Sequence, residues 1–130
     1  MKQVTFIPYE SVGSIRIGSS REVVRNNNPG YREFKKNRFS KNTTDDYGTY
    51  HVFYTKSNCV EAVEIFKGID IVLNDIIISS LSIDELICRL SDSKIIKESD
   101  SVNFPSYGLS ISIQSGTIES YLIYAKGYWD

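Results

Sequence analysis

The single histidine, His51, and the two cysteines, Cys59 and Cys88, are the side chains whose chemistry would be easiest to recognise. A thiol beside an imidazole can become an activated nucleophile when the ring takes its proton. His51 and Cys59 fall on adjoining strands of one expected hairpin, however, so nearness there follows from topology without any chemistry. Asp45-Asp46, and Glu61 with Glu64, are carboxylate pairs of the kind used for proton transfer or for holding a hard metal ion. Solvated loop and strand carboxylates account for them equally well. No histidine cluster or Cys/His spacing suits zinc. Gly13 and Gly18 lack the helix-opening pattern of a phosphate loop. No catalytic residue, metal site or cofactor is expected, and the chain reads as a non-enzyme.

A second candidate is the stretch Tyr31-Arg32-Glu33-Phe34-Lys35-Lys36-Asn37-Arg38-Phe39-Ser40-Lys41, which interleaves aromatic rings with cations as single-strand nucleic-acid binders do. The overall formal charge of −1 argues against that use. Charge is uneven along the chain. Residues 1–48 hold nine Lys/Arg against five acids, a net +4, and residues 49–130 hold six against eleven, a net −5. Such asymmetry marks either a polar partner surface or a basic loop that faces an acidic sheet of the same molecule.

The elements that must position these groups can be read from the pattern. One hundred and thirty residues, 41% apolar and 24% charged, are the size and composition of one globular domain. No apolar run approaches the roughly 20 residues of a membrane helix. The opening residues lack a secretory apolar core of about 7–15 residues. Reduced thiols at Cys59 and Cys88 and a cytoplasmic location are therefore expected.

Two stretches share one design. Ser19-Ser20-Arg21-Glu22-Val23-Val24 and Ser82-Ile83-Asp84-Glu85-Leu86-Ile87 each place Ser three residues before Glu, the spacing of a helix capping box, and follow it with an apolar pair. The offset between them is 63 residues. In the second, Ile83, Leu86, Ile87 and Leu90 form one apolar stripe. The first is short, because Pro29 disfavours helical geometry at Asn28. A polar stretch follows each helix, and then a hairpin opening with Tyr-Gly: Tyr47 to Phe66, and Tyr107 to Tyr124 with a Ser115-Gly116 turn. A strand precedes each helix, Ser14 to Gly18 in the first half and a run within Ile69 to Ile78 in the second, which Asn74-Asp75 can divide.

The expected architecture is α+β. A mainly antiparallel sheet of about 6–8 strands carries two helices on one face, and a strand–helix–hairpin unit is duplicated over about 12–67 and 69–126 of a single 1–130 domain. Much of the other sheet face should then meet water or a partner. Nine tyrosines and one tryptophan supply side chains suited to a half-wet interface. Tyr50, Tyr54 and Tyr121, with Glu61, Glu64 and Glu119, are the expected partner contacts.

The segment Val12-Gly13-Ser14-Ile15-Arg16-Ile17-Gly18-Ser19-Ser20-Arg21-Glu22-Val23 sets a Gly-ended strand before a capped R-E-V helix, and a tyrosine-rich hairpin follows. This pattern is similar to the units of the β-lactamase inhibitor protein and of small outer-membrane assembly lipoproteins. It also resembles immunity proteins encoded beside bacterial toxins. Ser19 stands where the lipoprotein pattern has Met, and no anchor cysteine lies near residue 20. The resemblance implies a rigid sheet that blocks another protein, with a toxin domain, often a nuclease with a basic cleft, as partner. Nucleic acid and membrane are not expected partners. The competing readings are a small enzyme or ligand binder using the sheet face as a pocket, and a single-strand binder using Arg32 to Lys41.

Overall fold

The computed structural model describes residues 2–38 and 40–130; Met1, and Phe39 of the basic aromatic stretch, lie outside the described residues. The chain is α+β, with two α-helices and two mostly antiparallel sheets. In chain order the elements are β1 (Gln3–Ile7), β2 (Ser11–Val12), β3 (Ile15–Arg16), α1 (Arg21–Asn27), β4 (Arg32–Phe34), β5 (Thr44–Asp46), β6 (Tyr50–Tyr54) and β7 (Val60–Ile65). Then follow β8 (Asp70–Leu73), β9 (Ile76–Ile77), a 3-10 turn (Ile78–Ser80), α2 (Ile83–Leu90), β10 (Ile96–Lys97), β11 (Ser101–Phe104), β12 (Leu109–Gln114) and β13 (Thr117–Tyr124).

The order nearly repeats once, and both sheets draw strands from the two halves, the smaller taking three from the first and two from the second. The larger sheet runs β10-β11-β12-β13-β7-β6-β5-β4, so each half contributes a four-stranded meander and the two meet where β13 pairs with β7. The smaller sheet runs β3-β2-β1-β8-β9, and its halves meet at the parallel pair β1–β8. The expected unit thus begins earlier than residue 12: β1 occupies in the first half the place of β8 in the second. Its alternation, with Val4 and Phe6 buried between exposed Gln3, Thr5 and Ile7, is that of a half-buried strand.

Both helices start at serine. Ser82 accepts from the Glu85 amide while the Glu85 carboxylate returns to the Ser82 amide, a complete capping box. The first helix differs from the expected box by one residue. Ser20, not Ser19, is its N-cap and accepts from the Val23 amide, while the Ser19 hydroxyl donates to the Arg16 carbonyl. Glu22 therefore sits one position too early to return the bond. The turn between β8 and β9 is Asn74-Asp75, both in left-handed backbone, as two-residue hairpin turns require.

One core fills the space between the sheets. It takes Val4, Phe6, Ile71 and Leu73 from the smaller sheet, Val52, Val63, Ile65, Ile111 and Ile123 from the larger, and Val24, Leu86 and Leu90 from the helices. Helix α2 is held by its apolar stripe. Helix α1 buries only Val24 and is held instead by charge. Asp45, fully buried on β5, receives Nε and a terminal nitrogen of Arg25 at 2.8 and 2.7 Å, a terminal nitrogen of Arg21 at 3.2 Å, and the Tyr54 hydroxyl at 3.1 Å. Burial pushes the Asp45 carboxyl upward, but the two guanidinium groups outweigh it and hold it below the usual carboxylate range.

Candidate functional site

The side of the larger sheet turned away from the core is where the sequence-derived candidates can be sorted. Successive strand residues face opposite sides, and Val52, Val63 and Ile123 fix which side is inward. Tyr50 and Tyr54 share the side of Val52, and Tyr121 pairs with Ile65, so all three tyrosines are buried in the core. This corrects their expected place as surface contacts: a register in which His51 and Phe53 face outward puts Tyr50 and Tyr54 under the helices. The Tyr54 ring stacks beneath the Arg21 guanidinium at 4.3 Å, and Tyr50 stacks on Tyr47 at 4.8 Å.

The Asp45-Asp46 pair is separated by the same rule. Asp45 turns inward to the arginines of α1. Asp46 turns outward, accepts from the Gly48 amide at 2.7 Å and lies 3.3 Å from His51 Nε2. His51 and Cys59 do not meet either. Cys59 hydrogen-bonds through its backbone to Thr55, four residues along the strand from His51, about 13 Å at about 3.3 Å per residue. Among the described residues, no group of three or more His, Cys, Asp or Glu could hold a metal ion.

The structure does assemble an outward surface around β7. Glu64 faces out, half-buried, opposite His51 on one neighbour and Leu122 on the other, and accepts from the Ser120 hydroxyl at 2.7 Å. Across β5, β6 and β7 the outward residues Asp46, His51 and Glu64 therefore run in a line. His51 is wedged edge-on between Phe34 at 5.2 Å and Phe66 at 4.8 Å. Glu61 is the extra residue where the β6–β7 register shifts, half-buried, and burial raises its carboxyl pKa while Lys41 lowers it. Glu119 occupies the corresponding bulge between β12 and β13. It is exposed, on a cleft of about 660 Å³ whose walls include Phe66, Lys67 and Ile118.

The far part of this face is covered by the chain's own side chains. Phe53, Ala62 and Tyr124 are buried against Leu122 of β13 and against Tyr9 and Tyr128. The Ala125 amide donates to the Glu61 carbonyl at 2.8 Å, extending the β13–β7 ladder, and the Tyr128 amide donates to the Ala125 carbonyl at 3.1 Å in the turn that follows. Burial, and then the charges of Glu61 and Glu64, raise the Tyr128 phenol above its ordinary value. Lys36 lies over the Phe53 ring at 4.7 Å. Part of the basic stretch thus already faces the acidic sheet of its own molecule. Phe66, Ser120 and Tyr128 were not singled out by sequence reasoning. The outward parity of Glu64 would have flagged Phe66; the packing of Tyr128 on Tyr124 has no local signal.

No helix is long and apolar enough to cross a membrane among the described residues. No protein-family model, no curated protein and no solved structure matches this chain.

Proposed function

We propose that the chain is a non-catalytic protein inhibitor, an immunity protein that binds and neutralises a cognate bacterial toxin by covering its active surface. The observation that carries this reading is the line of Asp46, His51 and Glu64 across three neighbouring strands, flanked by Glu61 and by Glu119 on its cleft. Ordered carboxylates on a stiff sheet suit a basic cleft such as that of a nuclease domain. They steer the encounter, and the aromatic groups beside them supply desolvated contact. The partner contacts are Glu61, Glu64 and Glu119, joined by Asp46 and Phe66. Tyr50, Tyr54 and Tyr121 act from below by fixing the sheet. The free thiols of Cys59 and Cys88 suit a reducing cytoplasm.

The test is co-expression with the toxin encoded next to this chain's gene. The expected result is a stoichiometric complex on purification and survival of cells that otherwise die. No complex and no protection would overturn the reading.

A further inference from the structure

Between the β10–β11 edge and the C-terminal tail lies a second pocket, of about 540 Å³, walled by Tyr9, Tyr124, Tyr128, Trp129, Glu98 and Asp130. Its rings stand mostly at steep angles, although Tyr124 and Tyr128 lie near-parallel at 5.9 Å and 26°. Trp129 meets Tyr128 at 4.9 Å and 83° and Tyr124 at 5.5 Å and 74°, and Tyr9 meets Tyr124 at 6.0 Å and 78°. The hydroxyls of the floor are already committed. Tyr124 donates to Asn103 Oδ1 at 2.6 Å and Tyr9 to the Pro105 carbonyl. What remains for a ligand is therefore π surface and carboxylate. Glu98 and Asp130 are exposed and have no ion-pair partner among the described residues, and no Lys or Arg lines the pocket. The Trp129 side chain hydrogen-bonds Tyr124 yet is 58% exposed, so part of its indole face stays open.

We propose that this pocket binds an arginine side chain of a partner protein. A cation is drawn to the negative faces of aromatic rings, tryptophan above all. The chain shows this attraction at a ring of the same pocket, where Lys126 Nζ lies 5.6 Å from the Tyr9 ring centre. Between cations, a guanidinium is favoured because it is planar and forked: it stacks flat on one ring while its edge donates to a carboxylate. Perpendicular rings beside two unpaired carboxylates match that shape. This site stands apart from the β7 surface, so it does not depend on the toxin reading.

Trp129 is the only tryptophan, so its emission reports on this pocket alone. The isolated chain is titrated with N-acetyl-arginine methylamide, with the neutral citrulline analogue, and with choline. The expected result is a saturable change with the arginine probe and at least tenfold weaker binding of citrulline and choline. The double variant Glu98→Gln/Asp130→Asn, which keeps the indole, should weaken the arginine probe about tenfold while its circular dichroism stays unchanged. No saturable response to the arginine probe, equal binding of citrulline, or tighter binding of choline would each overturn the proposal.

Discussion

Tyr47 and Tyr107 make the same bond in the two halves of the molecule. Each hydroxyl donates at 2.9 Å to a main-chain carbonyl at the end of the preceding helix, Asn28 for Tyr47 and Leu90 for Tyr107. Each is followed by a glycine in left-handed backbone, Gly48 and Gly108. The helix end is thus tied to the start of its hairpin, and carbonyls left over by the helix are satisfied. Replacing either tyrosine by phenylalanine should cost about 1 kcal/mol in urea unfolding. The double variant should cost close to the sum, because the two ties share no partner.

Asp45 sets the response to acid. Its carboxyl is held low in the folded chain, so the unfolded chain binds a proton first and stability falls as the pH drops through and below the usual carboxylate range. Asp92 acts in the same direction: burial raises it, but bonds from Ser106 and the Lys94 amide prevail. Asp45→Asn should lower stability at neutral pH by about 3–5 kcal/mol, since Arg21 and Arg25 lose their shared counter-charge. It should also flatten the acid limb followed by circular dichroism.

Alkali should weaken the fold from the opposite side. Burial, followed by the charge of Asp45, pushes the Tyr47 phenol up to about 12, and burial does the same for Tyr124. Both are neutral in the folded chain at pH values where the unfolded chain has begun to ionise. Their contribution is whole below pH 10 and is lost as the pH rises from 10 toward 12. Tyr47→Phe should reduce the fall in unfolding free energy over that interval, measured as urea midpoints against pH.

The two Tyr-Gly glycines should not tolerate alanine equally. At Gly48 a methyl group would meet nothing within 4 Å, so Gly48→Ala costs only the backbone conformation, about 1 kcal/mol. At Gly108 the methyl would stand 3.1 Å from the Tyr124 carbonyl oxygen and 3.1 Å from the Tyr9 ring. Gly108→Ala should cost about 2–3 kcal/mol and lower the melting temperature visibly more.

On the proposed inhibitor reading, the buried and outward side chains should separate in a binding measurement with the partner toxin. Glu64→Lys should slow association about tenfold or more at low salt, with the deficit shrinking as salt rises. Tyr50→Phe should leave the rate and the affinity unchanged, because Tyr50 lies beneath the sheet.

Much of this arrangement could be read from the residues. The apolar stripe of α2, the Asn74-Asp75 turn and both Tyr-Gly hairpins carry strong local signals. β4, β5 and β10 did not, because Arg32-Glu33-Phe34, Thr44-Asp45-Asp46 and Ile96-Lys97 have too few apolar residues to alternate. What makes Thr44-Asp45-Asp46 a strand is tertiary: Arg21 and Arg25 turn an otherwise solvated aspartate into a core residue. The outward placement of the acids was legible, and the burial of the tyrosines was not. Glu61, Glu64 and Glu119 are carboxylates the core cannot accept unpaired, whereas tyrosine is at home on either face. Nothing nearby in the chain announced that Tyr9 and Tyr128 would both pack on Tyr124.

The two seams β7–β13 and β1–β8 also govern the order of manufacture. A ribosome that has delivered residues 1–67 has made a half-molecule with bare borders at both seams, and their complements are not yet synthesised. Such borders accept any strand of matching hydrogen-bond pattern. A pause in translation there leaves both borders bare for longer and so favours pairing between neighbouring nascent chains.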